Sequence, residues 1–411
     1  AKGVWLYDEL DRKLFDGIGS WWVNTIGHGR EEINQAISRQ QASLDHVVFA
    51  GVTHNPAAKL ASEIVSLTEG TLPRVFYSDN GSTAVEVALK MAYQSWHQKG
   101  ETQRRTFLAL HGSYHGDTFG AMSVAKSDGF HGVFEPLLFK GIYESPVTSH
   151  ASQFCRNGSA EKESSLKKIK QSLEIHHATI AAAIIEPMIQ GAGGMLVHDE
   201  GWLRSFCELI RSYNIPIIFD EVFTGMGRVG EDFAFKRLRF IPDILCIAKG
   251  LTGGTIPLAM TLACEEIYQS FLNQDKAKAL LHGHSYTGNP VACSAALATL
   301  NIYHKESLPQ RAREHEQVFE LWLNENSQNF ALKNPRTKGS VMAFELPEND
   351  YNDYFKQSNL LICQKALRFG LFLRPLGNTV YLAPPLTMTN KERSFALHAL
   401  TETLKNALPS S

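Results

Sequence analysis

The feature that most constrains this 411-residue chain is a rhythm. Between about residues 74 and 265, short apolar runs rich in β-branched residues alternate with helical patterns. Strands that alternate with helices pair in parallel through crossover connections, so the rhythm predicts an α/β fold with a largely parallel, helix-covered sheet. The runs predict strands at 75–78, 106–110, 180–185, 215–220, 244–248 and 258–263. Trp202, Phe206, Leu209, Ile210 and Tyr213 fall on one helical face, which predicts a crossover helix. The segment 148–172 is rich in Ser, Lys and Glu and reads as a surface excursion. After residue 300 the pattern changes to a helix at 310–324, a strand at 341–346, a helix at 359–368 and strands at 371–374 and 379–382, an α+β unit.

Parallel sheets hold ligands at the carboxyl ends of their strands, so Ser78, Asp79, Glu186, Asp220 and Lys249 are expected to converge on one crevice. Ile217-Ile218-Phe219-Asp220-Glu221 and Ile247-Ala248-Lys249-Gly250 offer a carboxylate and a lysine from consecutive buried strands. Pyridoxal phosphate chemistry requires that pairing. A lysine amine condenses with the cofactor aldehyde, and a carboxylate keeps the pyridine nitrogen protonated. The alternative is a solvated Asp-Glu turn and an unrelated surface lysine.

Asp79-Asn80-Gly81-Ser82-Thr83 opens a helix at 84–96 and suits a phosphate, or serves only as a helix cap. In Gly112-Ser113-Tyr114-His115-Gly116-Asp117, Tyr114 is the ring that can stack on a pyridine face, or else a structural tyrosine. Gly225-Met226-Gly227-Arg228-Val229-Gly230 matches the dinucleotide-binding fingerprint, but two carboxylates precede it and no clear amphipathic helix follows. Its glycines read as a tight turn. His282-Gly283-His284-Ser285-Tyr286-Thr287 can form a second phosphate cradle, and without a Cys or carboxylate cluster it does not read as a metal site. Alone, Trp21-Trp22 reads as packing and Arg374 as a solvated charge.

A formal net charge of -2 gives no field to draw nucleic acid or an anionic membrane, so small molecules are the expected partners. Six cysteines without a C-x-x-C pair, Cys246 and Cys264 in strand-like runs, fit reduced thiols and a cytoplasmic protein. The charged start lacks an export signal, and the apolar runs are too short to span a bilayer.

With these residues in order, the chain resembles the class III pyridoxal-phosphate-dependent aminotransferases through nearly its whole length. The class-level motifs are Asp220-Glu221 with the following T-G-M-G-R-V-G, P-D-I-L-C-I-A-K-G-L-T-G-G around Lys249, and G-N-P at 288–290. D-G-I-G-S-W-W at 16–22, H-V-V-F-A-G-V-T-H at 46–54, Y-H-G-D-T-F-G-A-M-S-V at 114–124, I-E-P-M-I-Q-G-A-G-G-M at 185–195 and R-P-L-G at 374–377 resemble its biotin-pathway branch. That branch converts 8-amino-7-oxononanoate to 7,8-diaminopelargonate with S-adenosylmethionine, or in some members lysine, as amino donor.

The resemblance implies a fold-type-I homodimer: a large domain at 46–300 with a mostly parallel seven-stranded sheet, and a small α+β domain at 301–411 joined by the segment 1–45. Lys249 would be the Schiff-base lysine, Asp220 the pyridinium partner, Gly81 and Ser82 phosphate ligands, and Tyr114 a neighbour of cofactor and substrate. Gly283, His284 and Ser285 would reach the phosphate of the other subunit, while Trp21, Trp22 and Arg374 would line the substrate pocket. Two departures stand out. The branch commonly begins with W-H-P-Y-T, which this sequence starts after, so either the sequence is a shortened form or that wall is built differently; and H-G-H-S-Y-T-G-N-P replaces the usual H-G-P-T-F-M-G-N-P. A class III enzyme acting on an ω-amine is the nearest rival, with Trp21-Trp22 and Arg374-Pro375 against it, and a non-catalytic cofactor-binding regulator a distant one.

Overall fold

The computed structural model describes residues 1–126, 131–149, 158–347 and 358–408. Its centre is a seven-stranded sheet in the order Arg74–Ser78, Ala259–Ala263, Ile244–Ile247, Ile217–Asp220, Ile180–Ile185, Thr106–Leu110, Ile142–Glu144. Five consecutive strands of that order pair in parallel. Ala259–Ala263 runs antiparallel to both Ile244–Ile247 and Arg74–Ser78. Helices cover both faces, which is why the central strands read as unbroken apolar runs rather than alternating ones. Ile217 and Phe219 pack into one cluster with Trp202, Phe206 and Ile210 of the helix Glu200–Ser212. Ile218 faces the other cluster, with Val85, Ala88 and Ala92 of the helix Gly81–Gln98.

Three sequence expectations change, and one strand of the expected seven had no signal of its own. The helix carrying Trp202 ends at Ser212, and Tyr213 caps it, because the turn that follows redirects the chain. The seventh strand, Ile142–Glu144, was not found in the sequence, since three residues give no readable periodicity. The supposed surface excursion contains a helix, Gly158–His176, which packs Ile169 and Leu173 into the core and receives the Trp202 indole N–H on Ser165 Oγ at 3.1 Å. Its thin apolar stripe is diluted by Lys and Ser, and residues 150–157 of that segment lie outside the described residues. Cys264 stands just after its strand and caps the helix Glu265–Gln269.

Both ends of the chain meet in a second sheet, where Lys13–Asp16 pairs antiparallel with Trp5–Tyr7 and parallel with Leu371–Phe372. A third, antiparallel sheet holds Lys333–Lys338, Val341–Glu345 and Thr379–Leu382. Phe15, Phe319, Phe344 and Leu400 share a core between these pieces. Among the described residues no helix is long and apolar enough to cross a membrane.

Candidate active site

A cavity of about 360 Å³ opens where the parallel strands end, and Asp79, Glu186, Asp220 and Lys249 line it, as do Gly81, Ser82, Tyr114 and Trp22. Ser78 is buried and is not part of the lining. Strand geometry separates the adjacent carboxylates, because successive side chains point to opposite faces. Asp220 faces the cavity. Glu221 turns away and accepts the N–H groups of Ala234 (2.5 Å) and Phe235 (2.9 Å) at the start of the helix Ala234–Leu238, with burial pushing its carboxyl up to about 8.

Asp220 Oδ2 lies 2.8 Å from His115 Nδ1, and Oδ1 accepts the Val222 N–H at 3.1 Å. Both side chains are buried, so the histidine fixes the carboxylate's orientation. In sequence, the one signal for His115 is a histidine beside the candidate tyrosine in a glycine-flanked turn after a strand. Glu186 accepts the N–H groups of Tyr114 and Gly191, each at 2.9 Å, and burial pushes its carboxyl up to about 7. It ties the Tyr114 loop to the neighbouring turn. The Tyr114 hydroxyl donates to Asp117 Oδ2 at 2.8 Å, its ring stacks on His131, and burial raises its pKa.

Lys249 follows its strand with φ at 43°, a left-handed conformation that costs energy in a residue with a Cβ and marks functional positions. The residue is half-buried, facing the cavity. Its amine stands 4.6 Å from the Trp22 ring centre and 5.7 Å from that of Phe223. Desolvation pushes it down to about 8, against the opposing pull of Asp220 and Glu186. A fraction of this amine is therefore neutral near neutral pH.

Opposite, Asn80 caps the helix Gly81–Gln98 in a reciprocal arrangement with Thr83, each accepting the other's backbone N–H at 3.1 Å. That leaves the N–H groups of Gly81 and Ser82 outside the cap at a positive helix end. A Cβ on Gly81 would meet Val222 Cγ1 at 2.7 Å, and one on Gly116 would come within 2.1 Å of Ser82 Oγ, so glycine is required at both close approaches. The residues fit pyridoxal phosphate: a half-buried amine of lowered pKa, a buried carboxylate held by a histidine, and a helix start free for an anion.

The dinucleotide-like glycines form turns, as expected, and the helix that follows them spans only Ala234–Leu238. Within them, buried Arg228 donates to Pro384 O (2.7 Å), Ser340 Oγ (3.0 Å) and Trp22 O (3.4 Å). Trp22 is buried, and its indole N–H donates to the Tyr381 hydroxyl at 3.2 Å. Trp21 is 43% exposed, and the exposed Arg374 guanidinium carbon lies 4.7 Å from its ring centre, outside the lining of the cavity. Gly283 and Ser285 are exposed and His284 half-buried on the surface of this chain, where Ser285 O lies 2.7 Å from His46 Nε2.

Residues 1–408 match the family model described as aminotransferase class-III. The adenosylmethionine-8-amino-7-oxononanoate aminotransferase of Synechococcus elongatus is 41% identical, covering 98% of this chain and 93% of its own. The solved structure of the enzyme with that name from Methanocaldococcus jannaschii superposes with a TM-score of 0.89 at 37% identity, covering 98% of this chain and 91% of its own. An amine transaminase from an uncultivated Pseudomonas species, solved in its PLP-bound form, gives a TM-score of 0.92 at 33% identity, covering 99% of this chain and 94% of its own. With a matching site on the matching fold, this chain belongs to the class-III aminotransferases, enzymes that work with pyridoxal phosphate.

Proposed function

We propose that the protein transfers an amino group to 8-amino-7-oxononanoate, forming 7,8-diaminopelargonate for biotin, with S-adenosylmethionine preferred over lysine as donor. The observation that carries this reading is near-full-length identity of 35–41% to relatives named for that reaction. An apolar cavity wall of Trp22, Val222, Phe223 and Ile256 suits the aliphatic chain of such an acid.

Bound in this cavity, pyridoxal phosphate would supply the aldehyde that takes up an amine and the electron-withdrawing ring that stabilises the carbanion left by a departing proton. Lys249 would hold it covalently and then, freed, take and return the proton at Nζ as general base and acid. Asp220, oriented by His115, is the anion that would keep a ring nitrogen protonated. The N–H groups of Gly81 and Ser82 would bind phosphate, Tyr114 would border cofactor and substrate, and Trp22 and Phe223 would exclude water from the lysine. Arg374 would pair with the distal carboxylate, above Trp21. The protein would act as a cytoplasmic homodimer, with Gly283, His284 and Ser285 of one protomer completing the phosphate corner of its partner.

The test is purified protein assayed for diaminopelargonate with each donor separately. Failure with both donors, alongside good turnover of an ω-amine with pyruvate or 2-oxoglutarate, would move the assignment to the amine-transaminase reading that the Pseudomonas likeness favours. Mixing inactive Lys249→Ala and Ser285-disrupted chains should restore part of the activity, and a fully active monomer would refute the shared site.

A further inference from the structure

Gly19, Ser20, Trp21 and Trp22 hold φ of 54°, 47°, 65° and 72° in succession. A left-handed residue with a Cβ is strained, and such strain persists only where the surroundings over-determine it. Asp16 supplies much of that constraint. Wholly buried at the end of the strand Lys13–Asp16, it accepts the Ser20 N–H at 3.0 Å and the Ser20 hydroxyl at 2.7 Å. His28 Nε2 lies 2.9 Å from the same Oδ2 that takes the hydroxyl. Burial works to raise the Asp16 carboxyl, but the hydrogen bonds from His28 and Ser20 bring it below its ordinary range. The group is an ionised acceptor fastened to the strained turn.

The turn decides where two adjacent indoles go. Trp21 leaves the protein toward Arg374, while Trp22 is 3% exposed and lies over Lys249. We propose that Asp16 and His28 are positioning residues for Lys249: they hold the left-handed turn whose Trp22 ring covers the lysine amine and shields it from water. This rests on the reading of Lys249 as the reacting amine. Neither residue lines the cavity. Without the Asp16 carboxylate, the Ser20 N–H and hydroxyl lose their acceptors and the left-handed run loses one anchor, so the indole, still bonded to Tyr381 and with Arg228 on its carbonyl, covers the lysine less closely.

The experiment titrates Lys249 in the cofactor-stripped full chain, following labelling by an amine-selective reagent across pH with peptide mass spectrometry. Asp16→Asn, Ser20→Ala and His28→Leu should each move the Lys249 midpoint upward, by on the order of one pH unit for Asp16→Asn, as water returns to the amine. His28→Gln, which keeps an N–H donor, should stay near the parent. Trp22→Leu should give a comparable rise, and adding Asp16→Asn to it should add nothing, because both act through the same ring. Unmoved midpoints in folded Asp16→Asn and Ser20→Ala, or shifts additive with Trp22→Leu, would overturn the proposal. If Asp16→Asn does not fold, Ser20→Ala and His28→Leu decide it. Borohydride trapping of the cofactor on another lysine would instead sink the reading of the site and leave these midpoints standing.

Discussion

Floor and rim of the cavity differ in how they are held. At the floor, Asp220 and Glu186 are buried at the ends of strands without an exposed residue, and histidine or backbone N–H groups fix their carboxylates. At the rim, Trp21 is 43% exposed, Arg374 lies over it in solvent, and Gly283 and Ser285 stand on the surface. The geometry of the floor is set by sheet register. The rim is set by turns and by the far ends of the chain, where substitution costs little stability. Chemistry shared by a family belongs on the first kind of surface and choice of substrate on the second.

Experiments at the floor should show the larger effects. Lys249→Ala is expected to abolish turnover and the borohydride-reducible adduct together, followed by absorbance and peptide mapping; an adduct on another lysine would displace the floor as the reacting centre. Asp220→Asn, nearly equal in volume, should retain cofactor yet slow the single-turnover donor reaction by at least about 10²-fold. A rate within a few-fold of the parent would mean that the His115-held carboxylate does no electronic work.

Rim changes should be graded. Arg374→Ala is expected to cost about 1.5–3 kcal/mol in kcat/KM for the keto acid, the range for a hydrogen bond to a charged group, with the donor half-reaction suffering less. Arg374→Lys should recover only part of the loss, because an ammonium lacks the planar fork. Equal loss in both half-reactions would place Arg374 with the floor.

The smallest effect is on stability and reports desolvation directly. Desolvation pushes the folded Lys249 amine down to about 8 from the ordinary 10.5, so between these values the unfolded chain binds more protons and stability rises with pH. The penalty is full below pH 8 and gone above 10.5. In cofactor-free protein, Lys249→Met should therefore stabilise at pH 7 by on the order of 2 kcal/mol, and hardly at all at high pH, measured by urea unfolding. No such difference would mean that the floor amine is as well hydrated as a rim cation.

Much of the floor was legible because buried parallel strands write themselves as apolar runs, and a polar residue at the end of such a run stands out. Six strands, Asp220, Lys249 and the glycine-opened helix after Ser78 were readable in this way. His115 was not, since nothing local distinguishes a histidine that braces a carboxylate 105 positions away from a satisfied loop histidine. The role of Arg228 was hidden by its setting in a motif that resembles a nucleotide fingerprint. The strand Lys333–Lys338 reads K-N-P-R-T-K, a polar run whose pairing is imposed by its neighbour Val341–Glu345. Positive φ at Trp21 and Trp22 was equally invisible, because bulky side chains do not announce the left-handed region that surrounding contacts impose.

The sheet order carries a consequence for biogenesis. Arg74–Ser78, which leads into the helix start at the cavity, joins the sheet, among the described residues, only through Ala259–Ala263, a strand synthesised roughly 180 residues later. Until that strand is inserted, this strand has no neighbour in the sheet to pair with, and closing so long a loop is slow. Cofactor capture is then a late event in the life of the nascent chain, and the first appearance of bound cofactor would register that the sheet has closed.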